Sequence, residues 1–122
     1  MNIVLINNNE IELNNLENLI NEIYEKIEIT KFTDPMLCAK YVWYNDADLI
    51  LSDSEMRPVD CLDLLRVIRK RKPNVAFIIL GNEEYMKAEA KNMAVYGYQK
   101  KPINKENIQE IFRKLEVQGG HK

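Results

Sequence analysis

Few residues in this chain combine a reactive side chain with a position that chemistry could use. Asp53 closes an apolar run, Leu49-Ile-Leu-Ser52, and so puts a lone carboxylate where a buried strand ends. Lys101 closes a second short run, Tyr98-Gln-Lys100, and directly precedes Pro102, which restricts its backbone to extended or turn geometry. A lysine facing an aspartate could neutralise an anion formed on the carboxyl, such as an acyl phosphate. The plainer reading stands beside it: a strand-end Asp often caps a helix or forms a turn, and Lys-Pro is a common dipeptide. Three asparagines, Asn7, Asn8 and Asn9, follow the first apolar run and offer amides but no charge. Gly81 follows the run Val75–Leu80 and brings no side chain. Cys61, at an expected helix start, could have a depressed pKa, but a small buried thiol is its ordinary role. The glycines are Gly81, Gly97, Gly119 and Gly120, so there is no glycine-rich phosphate loop. His121, the single histidine, sits in a Gly-Gly-His-Lys tail, and no Ser-His or Cys-His constellation supports nucleophilic catalysis.

The elements that must position these residues follow from periodicity. Asn2–Ile6 is nearly all apolar, as in a strand buried on both faces. Leu13, Leu16, Ile20, Ile23 and Ile27 step by three and four, which predicts a helix, while Ile27–Phe32 alternates and competes for its end as a second strand. Asp34-Pro35 opens a second helix, an Asp cap followed by Pro in the first turn. Asp48–Asp53 holds the third strand. Asp60 opens a third helix through Leu62, Leu65 and Ile68, stopped by Pro73. Val75–Leu80 is the clearest strand, Glu83–Met93 a weakly amphipathic helix, Tyr96–Gln99 a brief fifth strand, and Asn104 the cap of a last helix. Strands alternating with helices imply right-handed crossovers and a doubly wound parallel sheet in an α/β fold. In such sheets ligands meet the carboxyl ends of the strands. That rule places Asp53 and Lys101 on one rim with Asn7, Asn8 and Gly81.

Length and composition agree. The 122 residues are 46% apolar and 30% charged, enough for one core without disulfide or metal staples. No apolar run approaches the ~18–20 residues of a membrane helix, and no signal peptide precedes the first strand. A net charge of −2 argues against direct nucleic-acid binding by this domain. Cys38 and Cys61 read as reduced thiols of a cytoplasmic protein. The aromatic cluster Tyr41, Trp43 and Tyr44 reads either as a recognition patch or, more commonly, as packing. The basic run Arg66–Lys72 suits a solvated helix end.

The segments Ile3–Ile6, Asp48–Asp53, Met56, Asp60, Leu64-Leu65-Arg66, Val75–Leu80 and Tyr98–Pro102, in that order and spacing, resemble response-regulator receiver domains of the single-domain chemotaxis-regulator type over nearly the whole chain. The resemblance implies a flavodoxin-like five-stranded sheet in the order 2-1-3-4-5. It implies Asp53 as phosphoacceptor, Lys101 as its charge partner and Tyr98 as the aromatic switch. The domain is expected over 1–117, with 118–122 a tail or linker.

The chain also departs from the family's pattern. Asn7 and Asn8 stand where the family has two Mg²⁺-holding acids, leaving Asp53 and Glu55 as a weak metal set. Glu10 is the other nearby carboxylate able to substitute, and Glu83 stands at the second position past the fourth strand. Gly81 stands where the family has a hydroxyl, and Arg57, Pro58 and Cys61 change the loop after Asp53. The reading is an atypical, pseudo-receiver-like domain of a two-component phosphorelay. It is not an enzyme, it acts mainly by protein contact, and its Mg²⁺-dependent phosphorylation is impaired. A histidine kinase or a downstream effector is the expected partner. A homodimer would use the face formed by the Glu83–Met93 helix, the fifth strand and the last helix. The alternatives are a working phosphoacceptor, with Asp53 phosphorylated by a histidine kinase, and a small-molecule binder on the same scaffold.

Overall fold

The computed structural model describes residues 1–82 and 97–119, with side chains to Leu115. The expected helix over Glu83–Met93, with Glu83 itself, and Tyr96, the expected first residue of the fifth strand, lie outside the described residues. Five strands, β1 (Asn2–Ile6), β2 (Glu28–Phe32), β3 (Leu49–Asp53), β4 (Ala76–Gly81) and β5 (Gly97–Lys100), form one parallel sheet in the order β2-β1-β3-β4-β5. The described helices are α1 (Glu10–Ile23), α2 (Pro35–Tyr44), α3 (Cys61–Arg69) and α4 (Lys105–Gly119).

The near-continuous apolar strands are explained by burial on both faces. Val4, Ile6, Ile50, Phe77 and Ile79 point to the side covered by α2 and α3. Ile3, Leu5, Leu49, Leu51, Ile78 and Leu80 point to the side covered by α1 and α4. Successive strand residues therefore serve opposite cores, so a one-residue slip would exchange the two sets. Ring stacking of Tyr24 on Phe112, with centroids 4.4 Å apart, ties the end of α1 to α4.

The helix starts follow their caps. Asp34 accepts from Met36 N–H at 2.8 Å, with Pro35 opening α2. Asp60 accepts from Asp63 N–H at 2.9 Å. Asn104 and Asn107 bond reciprocally, each amide oxygen taking the other's main-chain N–H at 2.9 and 3.0 Å. The contest at Ile27 falls to the strand side. Tyr24 leaves the helix in extended conformation, and Glu28–Phe32 pairs in register with Asn2–Ile6. α3 ends at Arg69, before Pro73, with Lys72 N–H bonding Ile68 O at 2.8 Å.

Candidate functional site

The carboxyl ends of β1, β3, β4 and β5 meet at an open cleft of about 520 Å³, lined by Asn7, Glu12, Leu16, Asp53, Asn82 and Lys101 among others. Asp53 pairs with Leu80 at the end of the β3–β4 ladder, and Gly81 with Lys100 at the end of β4–β5. The sheet thus brings Asp53 and Lys101, far apart in sequence, to the same rim. Lys101 N–H donates to Gly81 O at 3.0 Å, and the Lys101–Pro102 bond is cis.

Asp53 is only 6% exposed. Its Oδ1 forms an ion pair with Lys101 Nζ, and its Oδ2 accepts the main-chain N–H of Glu55 at 3.1 Å. Burial pushes the Asp53 carboxyl above its ordinary value, against the pull of Lys101 and the Glu55 N–H. Lys101 rises too: burial would lower it, but the Asp53 and Glu12 carboxylates outweigh that and stabilise the ammonium.

Glu12 is the residue the sequence reading missed. Its Oε1 lies 3.2 Å from Lys101 Nζ and accepts from Asn7 Nδ2 at 3.3 Å. A carboxylate on α1 therefore enters the cleft and shares the lysine with Asp53. The available signal was Asn9-x-x-Glu12, a capping pattern that places an acid in the first turn of a helix opening on the rim. Asn9 does cap α1, accepting from Ile11 and Glu12 N–H at 2.9 and 3.1 Å. Glu12 does not complete the reciprocal bond; the Asn9 N–H goes to Asn7 Oδ1 at 2.8 Å instead.

The three asparagines have separate tasks. Asn7 joins the loop to Glu12, and Asn9 caps. Asn8 ties three loops together: its Nδ2 donates to Thr33 O at 2.8 Å and Arg57 O at 3.0 Å, and its Oδ1 accepts Arg57 N–H at 2.6 Å. Gly81 is buried at the end of β4. Tyr98 pairs with Ile79 across the sheet and packs, half-buried, on the α2–α3 core. Glu55 reaches Asp53 through its main chain, and its side chain is exposed. Glu10 is exposed in the first turn of α1. Of the two cysteines, both buried, burial pushes the Cys38 thiol up to about 12.

The sequence pattern of the response regulator receiver domain matches residues 3–113. The chain belongs to that family: it is a receiver domain of the two-component response-regulator kind. Among solved structures it is similar to a response regulator receiver domain from Clostridium thermocellum, with TM-score 0.84 and 21% identity over 97% of this chain and 96% of that one. It is also similar to the response regulator TrrA from Thermotoga maritima, solved in complex with Mg²⁺–BeF, with TM-score 0.82 and 23% identity over 93% and 97%. Full-length FixJ from B. japonicum aligns with TM-score 0.86 and 16% identity; the alignment covers 98% of this chain and 59% of FixJ. A comparison with curated proteins found no match. No helix among the described residues is long and apolar enough to cross a membrane.

Proposed function

We propose that this chain is an atypical receiver that works mainly through contact with protein partners and whose Mg²⁺-dependent phosphorylation is impaired. The observation that carries this reading is how the donor set at the rim is spent. The amide oxygens of Asn7 and Asn8 accept the N–H groups of Asn9 and Arg57. The two Asp53 oxygens face Lys101 and the Glu55 N–H. The Glu12 carboxylate turns to Lys101. Mg²⁺ requires a near-octahedral set of oxygens, usually anchored by carboxylates. No group of three or more acidic, His or Cys side chains that could hold a metal exists among the described residues. The residues present therefore offer the ion only a weak set, and an ammonium stands beside Asp53.

The partner in this reading is a histidine kinase or a downstream effector, met in the cytoplasm. A homodimer would use the face formed by the expected Glu83–Met93 helix with β5 and α4, 1–117 is the working module, and 118–122 is its tail. A second reading rests on the Asp53–Lys101 pair itself. In it an Asp53 oxygen attacks the phosphorus of a kinase phosphohistidine, the P–N bond breaks, and Lys101 neutralises charge on the transferred group. Intact mass after incubation with phosphoramidate and Mg²⁺ separates the two. The atypical reading expects little or no phosphate adduct. A stoichiometric adduct that disappears in Asp53→Ala overturns it.

A further inference from the structure

The aromatic cluster on α2 was open to two readings, packing or recognition, and the structure divides it. Tyr41 packs: its ring lies against Phe32, and its hydroxyl accepts from Asn2 Nδ2 at 3.1 Å. Trp43 and Tyr44 belong elsewhere. The helix reads Pro-Met-Leu-Cys-Ala-Lys-Tyr-Val-Trp-Tyr, with Lys40 its single charge. Pro35, Cys38, Ala39 and Val42 fill the inward side. Met36, Leu37 and Tyr44 remain 53%, 57% and 68% exposed. Met36, Lys40 and Tyr44 recur every four residues and so share one face.

That face borders a groove of about 350 Å³ between α2 and α3, lined by Met36, Lys40, Trp43, Tyr44 and Val67 among others. The groove is held in place. Trp43 Nε1–H donates to Val67 O at 3.0 Å, which fixes the indole against α3. Arg71 Nε donates to Trp43 O at 2.6 Å, and its guanidinium lies 5.7 and 5.4 Å from the Trp43 and Tyr44 ring centroids. Trp, Tyr and Arg are the side chains that most often dominate binding energy, above all when already ordered.

Charge selects the occupant. Two nearby cations are matched, Arg66 with Asp63 at 2.5 Å and Lys72 with Asp46 at 3.5 Å. Neither Lys40 nor Arg71 pairs with a carboxylate among the described residues, and none of the residues lining the groove is acidic. A second copy docked two-fold on this face would bring Lys40 and Arg71 near their own counterparts, like charge against like. A partner carrying carboxylates meets no such opposition.

We propose that the α2–α3 groove docks an acidic amphipathic helix of a partner protein, its apolar side chains on Met36, Trp43 and Tyr44 and its flanking carboxylates on Lys40 and Arg71. This gives a partner class to the protein-contact reading above and rests on it. Among the described residues the groove shares no lining residue with the Asp53 cleft.

The test uses the full chain and two synthetic helical peptides of roughly 14 residues. Both carry the same leucine stripe; one has glutamates on its flanks, the other lysines. Trp43 is the single tryptophan, so its indole N–H resonance reports on the groove alone. The glutamate peptide should shift that resonance saturably and bind at least about tenfold more tightly than the lysine peptide. Lys40→Glu, at an exposed position, should remove most of that preference, and Tyr44→Ala should weaken binding by about tenfold. Equal binding of the two peptides overturns the proposal. So does an unmoved Trp43 resonance, or one that shifts with protein concentration alone, which would give the groove to a second copy. A stoichiometric phosphate adduct on Asp53 would sink the impaired-phosphorylation reading and leave the Trp43 titration standing, so the two failures are distinguishable.

Discussion

Placing carboxylates at positions 7 and 8 should have opposite consequences at neighbouring positions. Asn8→Asp keeps the acceptor for Arg57 N–H but loses both donated bonds, to Thr33 O and Arg57 O, and turns a carboxylate oxygen toward those carbonyls. At about 0.5–1.5 kcal/mol per bond, the variant should lose roughly 1–3 kcal/mol of stability. For a domain of this size that lowers Tm by about 3–12 °C. Asn7→Asp keeps its stronger contact, the Asn9 N–H at 2.8 Å, but gives up the 3.3 Å bond to Glu12 and sets its second oxygen against the Glu12 carboxylate. Its new carboxylate also joins Asp53 in the cleft, which Asn7 lines and Asn8 does not. A unit charge ~4 Å from an ion gains about 4 kcal/mol per metal charge, gross, at an effective dielectric of 20. For the doubly charged Mg²⁺ that is about 8 kcal/mol; if a third of it survives desolvation, affinity rises about a hundredfold. Thermal melts and Mg²⁺ titrations followed at the Lys101 side-chain resonances measure both quantities. An Asn8→Asp variant that melts with the wild type and binds Mg²⁺ as tightly as Asn7→Asp would refute the assignment of Asn8 as a loop tie.

Other outcomes follow from the same site. Glu12→Gln removes the second carboxylate on Lys101; since Glu12 is half exposed, water screens the pair, and the stability change should stay below about 1 kcal/mol in denaturant melts. Lys101 is held above 10.5, so the stability it contributes is complete below that pH and is lost as pH climbs through its raised value; alkaline melts of Glu12→Gln should show a smaller loss. The Asp53 carboxyl is raised above 3.8, so native protein holds that proton more tightly than unfolded chain. Wild type should therefore lose stability relative to Asp53→Asn as pH rises from below 3.8, until the carboxyl has ionised, as measured by melts across the acid range. Cys38, buried and pushed up to about 12, should resist thiol reagents in native protein and react on unfolding, as followed by intact mass.

Much of this was legible in the chain itself, for identifiable reasons. β1, β3 and β4 could be read because each is buried on both faces and so carries an apolar run, whereas the edge strands β2 and β5 are only partly buried. The helix starts could be read because Asp34, Asp60 and Asn104 are local caps. Asp53 and Lys101 could be placed because a parallel sheet sends its strand ends to one rim. What failed to show depends on long-range contacts. Glu12 reaches Lys101 from a helix face 89 positions away, and its capping pattern with Asn9 places it in the first turn of α1 without revealing the lysine across the cleft. The Asn8 bonds run to Thr33 and Arg57 in two other loops, so its amide looked only like a missing acid. The division of the α2 aromatics likewise awaited α3, whose Val67 carbonyl holds the Trp43 indole.

The bonds made by Asn8 bear on which mutational routes are open. Asparagine and aspartate codons differ by a single base, so a carboxylate is one mutation away at this position. Because the amide binds the loops of Thr33 and Arg57 together, that mutation weakens the scaffold before it can build an ion site. A route to an acidic pair therefore runs through a less stable protein if position 8 changes first, and Asn7 is the easier starting point.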